Sequence, residues 1–228
     1  SHLNLKKEVH SYFKGNEVKK IDEIIHFLND GKSIAMISDA GTPLISDPGS
    51  MLVKELVKKN VNIISIPGPS SVLVALTLSG FDTDKFTFLG FIPRSGKERT
   101  KFFDDVRDTE LTLICFTSPN RLKKDLEDFV SKNIENELVV CRELTKKFES
   151  IYRGNAKKLL KDIPDTKYKG EVTLVISSSQ KIKNIDIHNE ALAKKLIEYK
   201  VPKREIAKII SSLTQEKVNK VYDLIKNL

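Results

Sequence analysis

Two short apolar runs constrain this chain more than anything else in it. Ser33-Ile-Ala-Met-Ile-Ser38 and Asn62 to Ile66 each end in a loop crowded with Gly, Pro and Ser, and each loop opens into a segment of helical period. After the first run come Asp39-Ala-Gly-Thr-Pro-Leu-Ile-Ser-Asp-Pro-Gly49 and a helical face of Leu52, Val53, Leu56 and Val57. Asp47 followed by Pro48 reads as N-cap and first helical residue. After the second come Pro67-Gly-Pro-Ser-Ser71 and a helix from about Ser70 to Gly80. Upstream, Asn16 can cap a helix carrying Ile21, Ile24, Ile25 and Leu28, which Gly31 ends. Strand, loop and helix in this repetition predict a parallel sheet buried on both faces, an α/β fold.

A second block begins near Lys85. Strands are expected at Phe86–Gly90, Leu111–Phe116, Glu137–Arg142, Phe148–Arg153 and Val172–Ser177, with helices at Lys97–Val106, Pro119–Ser131 and Asn155–Asp162. Ser177–Asn184 reads as a polar linker. Beyond it, Asn189–Tyr199, Lys203–Ile210 and Gln215–Asn227 read as three short helices, with Pro202 breaking the first pair and Thr214 capping the third, a spacing that suits a helix-turn-helix. The expected organisation is two α/β domains, 1–84 and 85–186, and a helical helix-turn-helix module, 187–228. A doubly wound domain normally opens with a strand, yet this chain starts Ser-His-Leu and enters a helix almost at once. Ser1-His2 reads as the remnant of a tag, and the N-terminal strand is expected to be lacking from the first domain.

Charge narrows the partners. The 39 basic residues against 31 acidic ones leave a net charge of +8, and four of those charges fall in residues 187–228, with nine basic and five acidic side chains. A basic terminal module suits a polyanion. No run approaches the ~18 apolar residues of a membrane helix, and the start shows no signal peptide, so a soluble, cytoplasmic protein is expected. Histidines His2, His10, His26 and His188 have no metal-ligand spacing among themselves or with Cys115 and Cys141, which excludes a recognisable metal site. Both cysteines fall in strands and read as inert core thiols. There is no Gly-x-Gly fingerprint, no phosphate-binding Gly-Lys-Ser/Thr loop and no Gly-x-Ser-x-Gly nucleophile elbow.

The loops at the strand ends carry the positive signal, because open α/β sheets bind ligands there. Ala40 and Gly41 would let a ligand lie against the backbone, and Asp39 or Thr42 could hold a ribose hydroxyl or an amino group. Asp47-Pro48-Gly49 reads equally as a turn with a helix cap. Pro67–Ser71 offers a second set of small residues and hydroxyls for the same pocket.

Five segments in order, Ser38–Gly49, Pro67–Ser71, Phe88-Leu-Gly-Phe-Ile-Pro-Arg94, Arg142-Glu-Leu-Thr-Lys-Lys-Phe-Glu149 and Lys169-Gly-Glu171, closely resemble the tetrapyrrole methylase superfamily, and within it the branch that methylates small-subunit ribosomal RNA. The resemblance implies two α/β domains of the tetrapyrrole methylase type with S-adenosylmethionine folded into the cleft between them. It implies that Ala40, Gly41, Thr42 and Ile45 line the cofactor with Ser70 and Ser71 beside them, and that Phe116, Thr117, Gly170 and Glu171 close over the adenosine. The implied reaction is methylation of the ribose 2′-hydroxyl of a decoding-centre cytidine in ribosomal RNA or the assembled small subunit, by a homodimer.

In physical terms such an enzyme mainly aligns the hydroxyl oxygen with the methyl group and helps it lose a proton. Glu143 and Glu149 are the candidate bases, although Arg142-Glu143 reads equally as a structural ion pair. Arg94, Lys97, Arg99 and Lys101 form a basic loop that reads equally as an RNA-backbone contact or a mobile surface loop, with Arg121, Arg142, Lys146, Lys203 and Arg204 as further candidate phosphate contacts and packing as the alternative for the tail. Two departures stand against the motif. The family pattern Tyr-Glu-Ser-Pro-His-Arg is here Phe116-Thr-Ser-Pro-Asn-Arg121, with Thr117 and Asn120 in place of Glu and His. The family's Pro-Thr-Pro-Ile-Gly-Asn-Leu loop is absent from the sequence. A tetrapyrrole-directed methyltransferase and a non-enzymatic RNA-binding module are the alternative readings.

Overall fold

A computed structural model describes residues 6–164, 170–178, 185–214, 218–226 and 228. The chain opens with helix α1 (Glu17–Asn29), α2 (Ser50–Lys58) and α3 (Ser71–Ser79). It continues β1 (Phe86–Phe91), α4 (Gly96–Asp108), β2 (Thr112–Thr117), α5 (Pro119–Ser131), β3 (Leu138–Arg142), β4 (Ser150–Gly154), α6 (Ala156–Asp162) and β5 (Val172–Ile176). Three helices close it: α7 (Ile185–Glu198), α8 (Lys203–Thr214) and α9 (Val218–Ile225).

The five strands form one mixed sheet in the order β1-β2-β5-β3-β4. Among the described residues only β1 and β2 run parallel; β5 is antiparallel to both β2 and β3, and β4 to β3. The period-2 alternation of the strands decides which core each residue enters. Leu113, Cys115, Leu138, Val140, Leu174 and Ile176 face a layer built from Phe102, Phe103 and Val106 of α4, Leu122, Leu126 and Phe129 of α5, and Leu159 of α6. Ile114, Val139, Cys141 and Val175 point the other way, onto Val72, Ala75 and Leu76 of α3. The sheet is therefore covered on both faces, and α3 from the front of the chain supplies one cover. The two cysteines are free and buried, and burial pushes both thiols up, Cys141 to about 11.

Helix boundaries follow the expected signals in most places. Pro119 starts α5, Asn155 caps α6 by accepting from the Lys158 amide at 3.0 Å, and Gly80 ends α3 in a left-handed conformation. Two caps differ. Asn16 directs its Oδ1 back to the Phe13 amide at 2.9 Å, bracing the preceding turn rather than the helix. Helix α2 begins at Ser50, not at Pro48, because Gly49 has φ +132° and breaks the helical path there. Met36 and Leu44 pack where a Cβ at Gly49 would lie, the Met36 Cε only 2.6 Å away.

The front segments differ more. Residues 33–38 and 62–66, expected as buried parallel strands, enter no ladder among the described residues. Ile37, Ile64 and Ile66 are 83%, 74% and 81% exposed. A strand needs a neighbour to take its backbone groups and cover its side chains, and no described segment pairs with these two. The last three helices share a core of their own, Ala193, Ile206, Ala207, Ile210, Val221 and Ile225. The expected linker falls largely outside the described residues, as do Lys169 and the expected start of the third helix at Gln215. So does the segment just after Thr214 that would have shown its capping.

The Phe103 ring is fully buried and meets Phe102 and Phe129 edge-on at 5.3 and 5.1 Å between centroids. Phe103→Ala should lower stability by about 3–5 kcal/mol, mostly through the cavity it leaves. Urea denaturation followed by circular dichroism measures this, and a loss below about 1 kcal/mol would show that the α4 layer does not support the sheet as described.

Candidate active site

The antiparallel setting of β5 decides where loops can meet. Its first residue, Val172, pairs with Thr117 at the end of β2 and with Arg142 at the end of β3. The loop after β2, the loop after β3 and the turn entering β5 therefore gather at one edge of the sheet. Helix α3 brings its N-terminal Ser70 and Ser71 to the same edge by packing on Ile114 and Val175. A cavity of about 500 Å³ opens there.

The loop from residue 39 to 49 forms the opposite wall. Four of its residues are left-handed, Gly41 at φ 67°, Leu44 at 73°, Ser46 at 65° and Gly49 at 132°. Leu44 and Ser46 occupy a region that side chains rarely adopt, the kind of local strain found at binding sites. Ser38 Oγ donates to the Ala40 and Gly41 carbonyls at 3.1 and 3.2 Å, and Thr42 Oγ1 donates to the Pro69 carbonyl at 3.0 Å. The bond from Thr42 ties the first loop to the second.

All eleven residues proposed from sequence for the cofactor line this cavity: Asp39, Ala40, Gly41, Thr42, Ile45, Ser70, Ser71, Phe116, Thr117, Gly170 and Glu171. Sequence reasoning missed Asp47, Phe91, Leu144, Thr145 and Thr173, which also line it. Asp47 was legible in part. It stands in the motif, and its reading as a helix cap lapsed once Gly49 took that place.

The two carboxylates proposed as bases are placed differently. Neither Glu143 nor Glu149 lines the cavity; both hold its wall. Glu143 Oε1 accepts from the Glu171 amide at 2.9 Å and from Lys146 Nζ at 3.0 Å, while Lys146 Nζ also reaches Glu171 Oε2 at 3.0 Å. The Glu143 amide returns a bond to the Glu171 carbonyl at 3.0 Å. Glu149 Oε2 accepts from the Thr145 amide at 2.6 Å. Gly170, at φ +112°, has no room for a Cβ, which would fall on the Glu143 carboxylate. The Glu171 amide, with Lys146 next, holds the Glu143 carboxyl below its ordinary 4.5, and the two carboxylates raise Lys146 above its ordinary 10.5.

The basic residues divide as well. Arg94, Lys97, Lys101 and Arg204 are exposed. Arg99 is a correction to the expected RNA loop: it is 7% exposed, and its guanidinium binds Asp125 Oδ1 at 2.7 Å, Asp128 Oδ2 at 2.5 and 2.8 Å and the Pro93 carbonyl at 2.7 Å. Four of its five N–H groups are spent inside the protein, and burial keeps the guanidinium away from a phosphate. Arg121 also donates to the Pro93 carbonyl, at 2.9 Å, with Asp125 Oδ1 3.6 Å away. Arg142 is half-buried at the end of β3. Lys146 lines the cavity but bridges two carboxylates, and Lys203 Nζ donates to the Lys226 carbonyl at 2.8 Å, closing the last helix pair. Among the described residues no group of His, Cys, Asp and Glu could hold a metal ion, and no helix is long and apolar enough to cross a membrane.

The family Tetrapyrrole (Corrin/Porphyrin) Methylases matches residues 5–160. Ribosomal RNA small subunit methyltransferase I of Buchnera aphidicola is 38% identical over 84% of this chain and 68% of its own length. The protein of the same name from Vibrio cholerae is 34% identical over 97% of this chain and 78% of its own. Among solved structures, cobalt precorrin-4 methyltransferase, a cobalamin biosynthetic enzyme, superposes with a TM-score of 0.54 at 18% identity over 70% of each chain, which speaks for the fold.

Because the folded Glu143 carboxyl titrates below its unfolded value, its contribution to stability is present above pH 4.5 and is lost as pH falls through the folded value. Glu143→Gln should therefore be less stable than the parent chain at pH 7, with the gap in melting temperature narrowing below pH 4.5. A gap that does not change with pH would mean that the carboxylate's charge has no part in the clasp.

Proposed function

The chain belongs to the tetrapyrrole (corrin/porphyrin) methylase family, in its ribosomal RNA small subunit methyltransferase I branch. From that premise we propose that it methylates the ribose 2′-hydroxyl of a decoding-centre cytidine in small-subunit ribosomal RNA, with S-adenosylmethionine as donor.

The cavity carries this reading. Its volume of about 500 Å³ falls within the ~300–1,000 Å³ of small-molecule sites. The lining fits such a ligand chemically. The acidic part of the lining, Asp39, Asp47 and Glu171, suits a molecule bearing an ammonium and a sulfonium, and Phe91 and Phe116 offer rings to a purine or to the sulfonium charge. When bound, S-adenosylmethionine supplies a methyl carbon already activated for attack by an oxygen.

The chain's own part is to align, to exclude water and to take a proton. Ala40, Gly41, Thr42 and Ile45 would hold one side of the ligand with Ser70 and Ser71 beside them, and Phe116, Thr117, Gly170 and Glu171 the other. Fixing two reactants between two rigid walls removes much of the entropic barrier. Asp39 and Asp47 line the cavity and would be the groups to receive the hydroxyl proton, while Glu143 and Glu149 keep the wall in shape. Arg94, Lys97 and Lys101, just beyond the cavity-lining Phe91, would meet the RNA backbone, with Arg204 contributing from the tail. The same reading has the enzyme act as a homodimer in the cytoplasm, on ribosomal RNA or on the assembled small subunit.

Incubation with small-subunit RNA or small subunits and methyl-labelled S-adenosylmethionine should place the label on a ribose, where it makes one phosphodiester bond resistant to alkali. Label on a base, or transfer to a tetrapyrrole instead of RNA, would sink the reading. Replacing Arg94 and Lys97 together by Ala should weaken RNA binding and flatten the slope of log K against log salt by up to about one unit for each phosphate no longer neutralised. An unchanged slope would remove that loop from the RNA interface.

A further inference from the structure

Two guanidiniums from different helices converge on a single backbone oxygen. The Pro93 carbonyl accepts from Arg99 Nη1 at 2.7 Å and from Arg121 Nη2 at 2.9 Å. Arg99 sits in the first turn of α4 and Arg121 in the first turn of α5. Carboxylates of α5 hold both from behind. Arg99 binds Asp125 Oδ1 at 2.7 Å and Asp128 Oδ2 at 2.5 Å, and Arg121 stands 3.6 Å from Asp125 Oδ1. The other oxygen of Asp125 takes the Thr117 hydroxyl at the end of β2. Two positive and two negative side chains make up the group, so the charges balance where they are withdrawn from water.

Pro93 stands at a junction between cavity and surface. Before it, Phe91 pairs with Phe116 of β2 and lines the cavity, and the Ile92 amide donates to the Phe116 carbonyl at 2.9 Å. After it come Arg94 and Ser95, which belong to neither strand nor helix, and then α4. Ser95, at the N-cap of α4, makes no side-chain cap bond. Lys97 and Lys101 lie four residues apart on the helix and are exposed with Arg94. Proline has no amide hydrogen, so its carbonyl is the one backbone group by which this junction can be held, and its two lone pairs suit two donors. We propose that Arg121 is a positioning residue for the RNA substrate. With Arg99 it pins the Pro93 carbonyl, and so presents Arg94, Lys97 and Lys101 to the sugar-phosphate backbone at a set distance from the cavity, without touching phosphate itself. This rests on the reading of that loop as RNA interface. Cations on backbone fixed beforehand lose less freedom on binding, and the phosphate register decides which ribose reaches the cavity.

The salt dependence of binding separates a positioning role from a phosphate contact. The probe is small-subunit RNA, bound by the full chain over a series of salt concentrations. Arg121→Met keeps the side-chain stem and removes the donor. RNA affinity should fall about three- to tenfold, the scale of one net hydrogen bond, while the slope of log K against log salt stays that of the parent chain. S-adenosylhomocysteine, titrated calorimetrically, should bind within about twofold of the parent, because pairing with β2 holds the cavity side of the segment without the clamp. In the Arg94→Ala/Lys97→Ala background, Arg121→Met should cost no further RNA affinity, because it acts through those cations. A flatter slope in Arg121→Met would make Arg121 a phosphate contact and overturn the proposal, as would an additive loss in the triple variant. RNA affinity equal to the parent's, with or without a lower melting temperature, would assign the clamp to stability alone and overturn it too. So would a loss of S-adenosylhomocysteine affinity in step with that of RNA. Should Arg121→Met fail to fold, Arg121→Lys decides: it keeps the charge but ends one bond short of the Pro93 carbonyl. RNA affinity should then drop about threefold or more, and affinity equal to the parent's would overturn the proposal by showing that charge alone counts. Parent-like RNA binding and slope in Arg94→Ala/Lys97→Ala would overturn the reading of the loop, and this proposal with it.

Discussion

The direction of one strand organises this molecule. β5 is buried along all five residues and hydrogen-bonds on both edges, and it runs against each of its neighbours. In an all-parallel sheet the loops that could bind a ligand all leave from strand ends. Here the reversal places the entry to β5 beside the exits of β2 and β3, so that Gly170, Glu171, Thr117 and Arg142 are neighbours through register alone. The same strand feeds both cores, with Leu174 and Ile176 facing one layer and Val175 the other. A change that shifted β5 by one residue would exchange its two faces and scatter the cavity wall together.

Much of this was legible in the sequence, for physical reasons that differ from element to element. The central strands of the second half are continuous apolar runs, as strands covered on both faces are, so their existence was legible while the face of each residue was not; Ser118-Pro119 marks the start of α5 within its first residue. The cavity-lining loops were legible because strings of Gly, Pro, Ser and Asp have few purely structural uses after an apolar run. Other features depend on partners that are distant in the chain. Arg99 lies in a stretch with Arg94, Lys97 and Lys101 and looks like one more surface charge. Only the fold of α5 against α4 delivers Asp125 and Asp128 to it and makes burial tolerable.

Thr117 shows the same limit from the other side. Against the family motif it reads as a carboxylate missing from the site. In three dimensions its hydroxyl is taken by Asp125, a buried carboxylate on the next helix eight residues on, through a hydrogen bond that no local pattern announces. Glu143 was visible as an acid in the right loop, but not that its Oε1 faces the Glu171 amide and Lys146. Sequence showed which residue types gather at the site, and tertiary contacts decided which of them line the cavity.

The front segments also set a material property of the chain. At residues 33–38 and 62–66, backbone groups that enter no ladder run beside exposed isoleucines, with Ile37, Ile64 and Ile66 each mostly open to water. Such stretches offer unpaired backbone groups and oily side chains together, the combination through which extended segments associate. The net charge of +8 repels copies at a distance, but that repulsion is screened beyond ~10 Å in 0.1 M salt. High salt therefore removes that repulsion and leaves the two exposed apolar stretches as they are.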